Sequence, residues 1–207
     1  MSRKTRNIPQ RSKFIIITNG KESEKNYFES LRAFRHSIYE VKVEFVSGAP
    51  LSLLKRAIRE KDGANQVWVV FDRDEFPADA IYTVMREAKK NNIGIAFSNV
   101  AFEVWLIDHF REFSNEKSAR ELTAILNKLL KDDNYQKGYN KNDRNVFDLK
   151  FLPRLDEAVH NAKVSMQKRV AKFIETSPSG NNYPYCDWNS CTTVYKLIEA
   201  LKLSDEK

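Results

Sequence analysis

The sequence predicts an α/β protein: a mostly parallel sheet flanked by helices, followed by a helical C-terminal half. Three observations predict it. Short, apolar, β-branched runs recur over residues 13–97, each stopped by Asn, Gly or Asp. Between them lie segments whose apolar residues fall at helical spacing. Beyond Phe97 the chain changes character, and amphipathic helical patterns dominate.

Each element has its own signal. Residues 13–18 (Lys-Phe-Ile-Ile-Ile-Thr) form a continuous apolar run that Asn19-Gly20 ends, as expected of a strand buried on both faces. Tyr27, Phe28, Leu31 and Phe34 give residues 22–35 a helical stripe, with Ser23 near its start. Residues 41–46 alternate apolar and polar, the pattern of a half-exposed strand. Ser47-Gly48-Ala49-Pro50 then turns the chain into a helix over 51–61. Residues 67–71 (Val-Trp-Val-Val-Phe) make a second buried strand, stopped by Asp72-Arg73-Asp74. Pro77 suits the first turn of a helix carrying Ile81, Val84, Met85 and Ala88. Asn91-Asn92 closes it, and residues 93–97 form a further strand. The order β, α, β, α, β, α, β places ligand chemistry at the strand C-termini. Helices are expected over 102–110, 118–130, 153–174 and 193–203, with polar loops over 132–148 and 176–189.

Composition narrows the function classes. The chain has 207 residues, of which 42% are hydrophobic and 12% aromatic, enough for a real core. No apolar run approaches the roughly 20 residues of a membrane span. The basic N-terminal stretch lacks the apolar segment of a secretory signal, so a cytoplasmic protein is expected. Two cysteines, Cys186 and Cys191, exclude a disulfide scaffold and a four-cysteine zinc site, and read as structural or incidental thiols. The net charge is +7, and Arg3, Lys4, Arg6, Arg11 and Lys13 supply most of it with no acid among residues 1–13. The expected organisation is a basic arm over 1–12, an α/β core over 13–112 and a helical region over 113–207. An arm of this kind suits sequence-independent attraction to phosphates.

Candidate chemistry gathers at strand ends. Asp72 and Asp74 stand two apart just past a buried strand, where both can address one Mg2+ or Mn2+; equally, such residues open loops. The loop of residues 18–24 follows the first strand and faces the same sheet edge if the two strands are neighbours. That brings Glu22 or Glu24 near the metal position, although both also suit a helix N-terminus. Glu103 opens a helix beside the end of the last strand, as a third carboxylate or as a capping-region acid. His109 reads as a packing histidine, and Phe102 and Trp105 as core. Residues 134–144 interleave tyrosines with Lys137, Lys141 and Arg144, a composition suited to single-stranded nucleic acid and equally to a solvated loop. No Gly-rich phosphate loop of the Walker type is present.

These residues carry a resemblance. Gly20, Ser23, Glu24, Tyr27 and Phe28 after one strand, and Asp72 and Asp74 after a later one, resemble the two signature motifs of the Toprim fold. The chain is most similar to the RloB-like Toprim proteins of bacterial restriction and phage-defence genes. Asn99, Phe102, Glu103, Trp105, Leu106, His109 and Phe110 match one further segment, and Asn189, Thr192 and Val194 a late one. The resemblance implies a Toprim-like sheet and a Mg2+-dependent nuclease acting on DNA or RNA, with a possible partner protein from a defence locus. It implies metal binding at Asp72 and Asp74. Where the family carries a glutamate before Gly20, this chain has Asn19, which is neither an acid/base group at neutral pH nor a charged ligand. Val100 and Ser190 replace two family prolines. Glu24 or Glu22, with Glu103, are then the available catalytic carboxylates. The alternative is a degenerate module that binds nucleic acid or a partner protein without hydrolysis.

Overall fold

The structure is a computed structural model that describes residues 12–73, 76–176 and 188–204. In chain order the strands and helices of the first half are β1 (Lys13–Thr18), α1 (Ser23–Phe34), β2 (His36–Ser37), β3 (Glu40–Phe45), α2 (Pro50–Glu60), β4 (Gln66–Asp72), α3 (Ala78–Lys90) and β5 (Gly94–Asn99). They continue with α4 (Glu103–Asp108), α5 (Ala119–Asp132), a helical turn α6 (Arg144–Val146), α7 (Leu155–Thr176), β6 (Cys191–Thr192), α8 (Val194–Ala200) and β7 (Leu203–Ser204). The main sheet runs β3-β1-β4-β5-β6. Its first four strands are parallel, and β6 is antiparallel to β5. The expected α/β class, with a helical C-terminal half, is what the chain adopts.

The continuous apolar character of β1 and β4 follows from burial on both faces. Successive side chains of a strand point to opposite sides. Ile15 and Ile17 of β1, with Val67, Val69 and Phe71 of β4, therefore pack under α2 and α3. Phe14, Ile16 and Val70 enter the other core, built with α1, α4 and the C-terminal helices. Gly94 pairs with Trp68 across β4 and β5, and a Cβ there would lie 2.3 Å from the indole ring. Only glycine lets that ring lie flat across the strand.

Several boundaries differ from expectation for local reasons. Pro50 occupies the first turn of α2, whereas Pro77 precedes α3 as its cap residue. The polar stretch expected as a loop through residue 148 is helical from Arg144, because Val146 and Phe147 bury into the core and continue as a wide π turn over Phe147–Phe151. Helix α8 stops at Ala200 rather than 203: Lys202 takes φ 47°, and Leu203–Ser204 pairs with His36–Ser37. The short strand β6 falls where a loop was expected to give way to a helix. It is sewn to β5 by Thr193, whose N–H donates to the Phe97 carbonyl at 2.8 Å while its Oγ1 accepts from Phe97 N at 2.9 Å.

No helix among the described residues is long and apolar enough to cross a membrane.

Candidate functional site

Parallel order puts the C-termini of β1, β4 and β5 on one edge, and the loops leaving them build a single cleft. It has a volume of about 440 Å³. Asn19, Gly20, Glu22, Ser23 and Glu24 line it after β1, Asp72 at the last residue of β4, and Ala101 and Glu103 after β5. Ala119, Arg120 and Thr123 of α5 form a further wall, and Lys141 reaches in from the loop before α6. The carboxylates expected at the site are thus brought together where described. Asp74 lies outside the described residues, as do Arg3, Lys4, Arg6, Arg11 and Cys186.

The first loop turns tightly: Gly20 N–H donates to Thr18 Oγ1 at 3.0 Å, and the Gly20 carbonyl accepts from Lys25 at 3.3 Å. Glu24 folds back over this turn. A Cβ on Gly20 would lie 1.8 Å from its Oε2, so the bare glycine makes room for the carboxylate. Glu24 is 6% exposed, whereas Glu22 is exposed at the rim. Of the two candidates, the fold buries Glu24 and leaves Glu22 to solvent.

Asp72 is half-buried at the end of β4, and its Oδ2 accepts the Phe102 backbone N–H at 2.9 Å. One carboxylate oxygen thus ties the entry of α4 to β4. Ser98 lies opposite Asp72 in the sheet, and its carbonyl accepts from Arg73 at 2.9 Å, so β4 and β5 stay paired to the cleft's edge.

Glu103 opens α4 and is only 3% exposed. A carboxylate this buried calls for hydrogen-bond donors and a nearby opposite charge. Both come from one loop: Tyr139 OH at 3.2 Å and Lys141 Nζ at 3.2 Å meet its Oε1. A carboxylate only accepts, so the single Tyr139 proton goes to Glu103. Ser23 Oγ, 3.3 Å from the same hydroxyl, then donates back to it. Burial pushes the Tyr139 phenol well above its ordinary range, and the Glu103 charge adds to that. Tyr139 therefore stays a neutral donor. For Lys141, burial favours losing the proton, but the charges of Glu103, Glu24 and Asp72 outweigh it and raise the ammonium pKa. The cleft therefore combines buried carboxylates with cations from Lys21, Arg120 and Lys141.

The remaining loop residues separate. Arg144 pairs with Glu29 of α1 at 3.5 Å, and Lys137 is exposed away from the cleft. The tyrosines of this loop turn inward: Tyr135 is buried with its OH on Asp143 at 2.9 Å, and Tyr139 packs its ring against Phe151. Neither presents a stacking face of the kind expected for single-stranded nucleic acid. His109 is a packing histidine: its Nδ1 donates to the Trp105 carbonyl and its Nε2 accepts from Tyr27 OH, each at 3.0 Å. Cys191 is buried in β6.

Arg120 and Thr123 are cleft residues that the sequence did not point to. The available signal was the Ser118–Glu121 capping box, which fixes where α5 begins. Asn189 sets that start in space, through its Nδ2 on the Lys117 carbonyl at 3.0 Å and its Oδ1 on Lys117 N at 3.3 Å. The late motif thus shapes the wall of the cleft from a distance.

Hard oxygen donors from Glu24, Asp72, Glu103 and the Asn19 amide are the chemistry that Mg2+ or Mn2+ takes. Among the described residues no group of three or more His, Cys, Asp or Glu is gathered closely enough to enclose a metal. The donor set fits an open site, in which one or two carboxylates hold a cation that keeps several waters.

No curated protein and no solved structure matches this chain. A family model described as RloB-like protein matches residues 14–201. That span takes in the five-stranded sheet, every described wall of the cleft and α8. The chain belongs to the RloB-like protein family.

Proposed function

We propose that the cleft is a Toprim-type, divalent-cation-dependent site acting on nucleic-acid phosphodiesters, in the setting of phage defence in the cytoplasm. The observation that carries this reading is the convergence of Glu24, Asp72 and Glu103, from the C-terminal ends of three different parallel strands, on one cleft with a cationic rim. Asp72, with Asp74 two residues on, would hold Mg2+ or Mn2+, with Glu103 assisting. When bound, such a cation would supply Lewis-acid chemistry, polarising a phosphoryl oxygen and acidifying water beside it. The chain's own residues orient and neutralise. Lys21 and Arg120 contact phosphate oxygens, and the basic arm over 1–12 adds sequence-independent attraction. Glu24 takes the acid/base position that Asn19 does not fill, since an amide cannot accept a proton at neutral pH. A partner protein from a defence locus would act on this assembly from outside the cleft.

The second reading, a module that binds nucleic acid or a partner protein without cutting, has its own support. Asn19 is neutral, and Glu103 is already engaged by Tyr139 and Lys141. Incubation of the purified chain with DNA and RNA pools, with Mg2+ or Mn2+, separates the two. We expect metal-dependent cleavage that drops to background in Asp72→Asn, which keeps the oxygen that accepts from Phe102. Cleavage that persists in this variant contradicts the metal mechanism. An inert wild type with a cutting Asn19→Glu variant establishes the binding module.

A further inference from the structure

We propose that Lys141 is the resident counter-cation of the cleft, held on Glu103 in competition with a divalent cation, so that metal entry and the departure of Lys141 are one event. The inference rests on the reading that this cleft takes a divalent cation. Lys141 Nζ stands 3.2 Å from Glu103 Oε1, on a carboxylate that is 3% exposed. Two cations cannot share that oxygen at contact distance without strong mutual repulsion.

Lys141 is placed by its backbone and is not a wandering surface lysine. Its carbonyl accepts Asn26 Nδ2 of α1 at 3.0 Å. On one side Tyr139 N–H donates to Asn127 Oδ1 of α5 at 2.8 Å. On the other, Arg144 pairs with Glu29 of α1 at 3.5 Å. The loop is therefore fastened to the two helices that flank the cleft, and the ammonium is aimed into it. Half of the Lys141 side chain remains exposed, so its head can swing to solvent while the backbone stays fastened. Tyr139 then continues to donate to Glu103, so that carboxylate is never left bare during the exchange. The displaced ammonium stays at the mouth of the cleft with Arg120, where a phosphate of the substrate is the anion to receive it.

The test is calorimetric titration of the full chain with Mn2+ alone, for wild type, Lys141→Met and Lys141→Arg. Removing the resident charge should tighten Mn2+ binding by about tenfold or more, and Lys141→Arg, which keeps the charge, should stay near wild type. If wild type binds Mn2+ and Lys141→Met binds it no better, the competition is disproved while the metal site stands. If neither protein binds Mn2+, the metal reading falls and the inference falls with it. Should Lys141→Met fail to fold, the side-chain 15N resonance of Lys141 in wild type gives the same answer. It should lose its paired-ammonium signature as Mg2+ is added, and a resonance unmoved at saturating Mg2+ overturns the proposal.

Discussion

His109 sits inside the aromatic core, and what its two ring nitrogens touch fixes its protonation state. The Trp105 carbonyl can only accept, so Nδ1 carries the proton and Nε2 faces the Tyr27 hydroxyl as a lone pair. Burial leads the shift that lowers its pKa from 6.5 to about 3. The fold therefore refuses a proton that the unfolded chain accepts, and the stability this gives is complete above pH ~6.5 and is lost as the pH falls toward 3. The adjacent Asp108 works in the opposite sense, because burial pushes its carboxyl well above the ordinary range. Its contribution is present at low pH and fades as the pH rises above ~3.8. Urea unfolding followed from pH 7 to 4.5 should show wild type losing up to about 1.4 kcal/mol per pH unit more than His109→Gln. Equal slopes would mean that His109 is protonated in the fold. At this scale the sequence marked His109 as packing and left Glu22 and Glu24 as alternatives. Both are acids near a helix start, and periodicity assigns neither to the cleft. What separates them is the bare Cα of Gly20, over which Glu24 folds.

Among the elements, α5 shows how a helix remote from the strand ends comes to line the cleft. Ser118 and Glu121 form a reciprocal cap: Ser118 N–H donates to Glu121 Oε2 at 2.9 Å, and Glu121 N–H donates to Ser118 Oγ at 3.4 Å. The Ser118 backbone N–H leads the causes that hold the Glu121 carboxyl down at about 2. Ser118→Ala should cost about 1 kcal/mol of stability in urea denaturation. Because Arg120 lies in the first turn of α5, the same variant should weaken nucleic-acid binding; unchanged stability would show the cap to be idle. The strands and helices of the first half were legible because each carries its own period and its own stop. Strand β6 and the pairing of Leu203–Ser204 with His36–Ser37 were not. Two-residue strands have no period, and their partners lie far away along the chain. The loop before α6 was legible as polar and basic, but not as inward-facing. Tyr139 and Lys141 turn in because Glu103, buried by α4, needs a donor and a charge.

Across the whole molecule, one parallel sheet sorts the chemistry from the packing. Its two faces take the apolar residues into separate cores, and its C-terminal edge takes the polar ones. That division was legible from the alternation of strands and helices, since parallel strands must all end on the same side. The arrival of Arg120 and Lys141 in the cleft was not, because both come from beyond the alternating half of the chain. The charge of the cleft is consequently mixed, with carboxylates on the floor and cations around them. Under the proposed function, a metal and a phosphodiester together would complete this arrangement. Anomalous diffraction from crystals of the full chain soaked in Mn2+ tests the central claim most directly. The account predicts a Mn2+ peak in the cleft in contact with Asp72 or Glu103, with Lys141 withdrawn from Glu103. A cleft without a peak at saturating Mn2+, and with Lys141 still on Glu103, would contradict it.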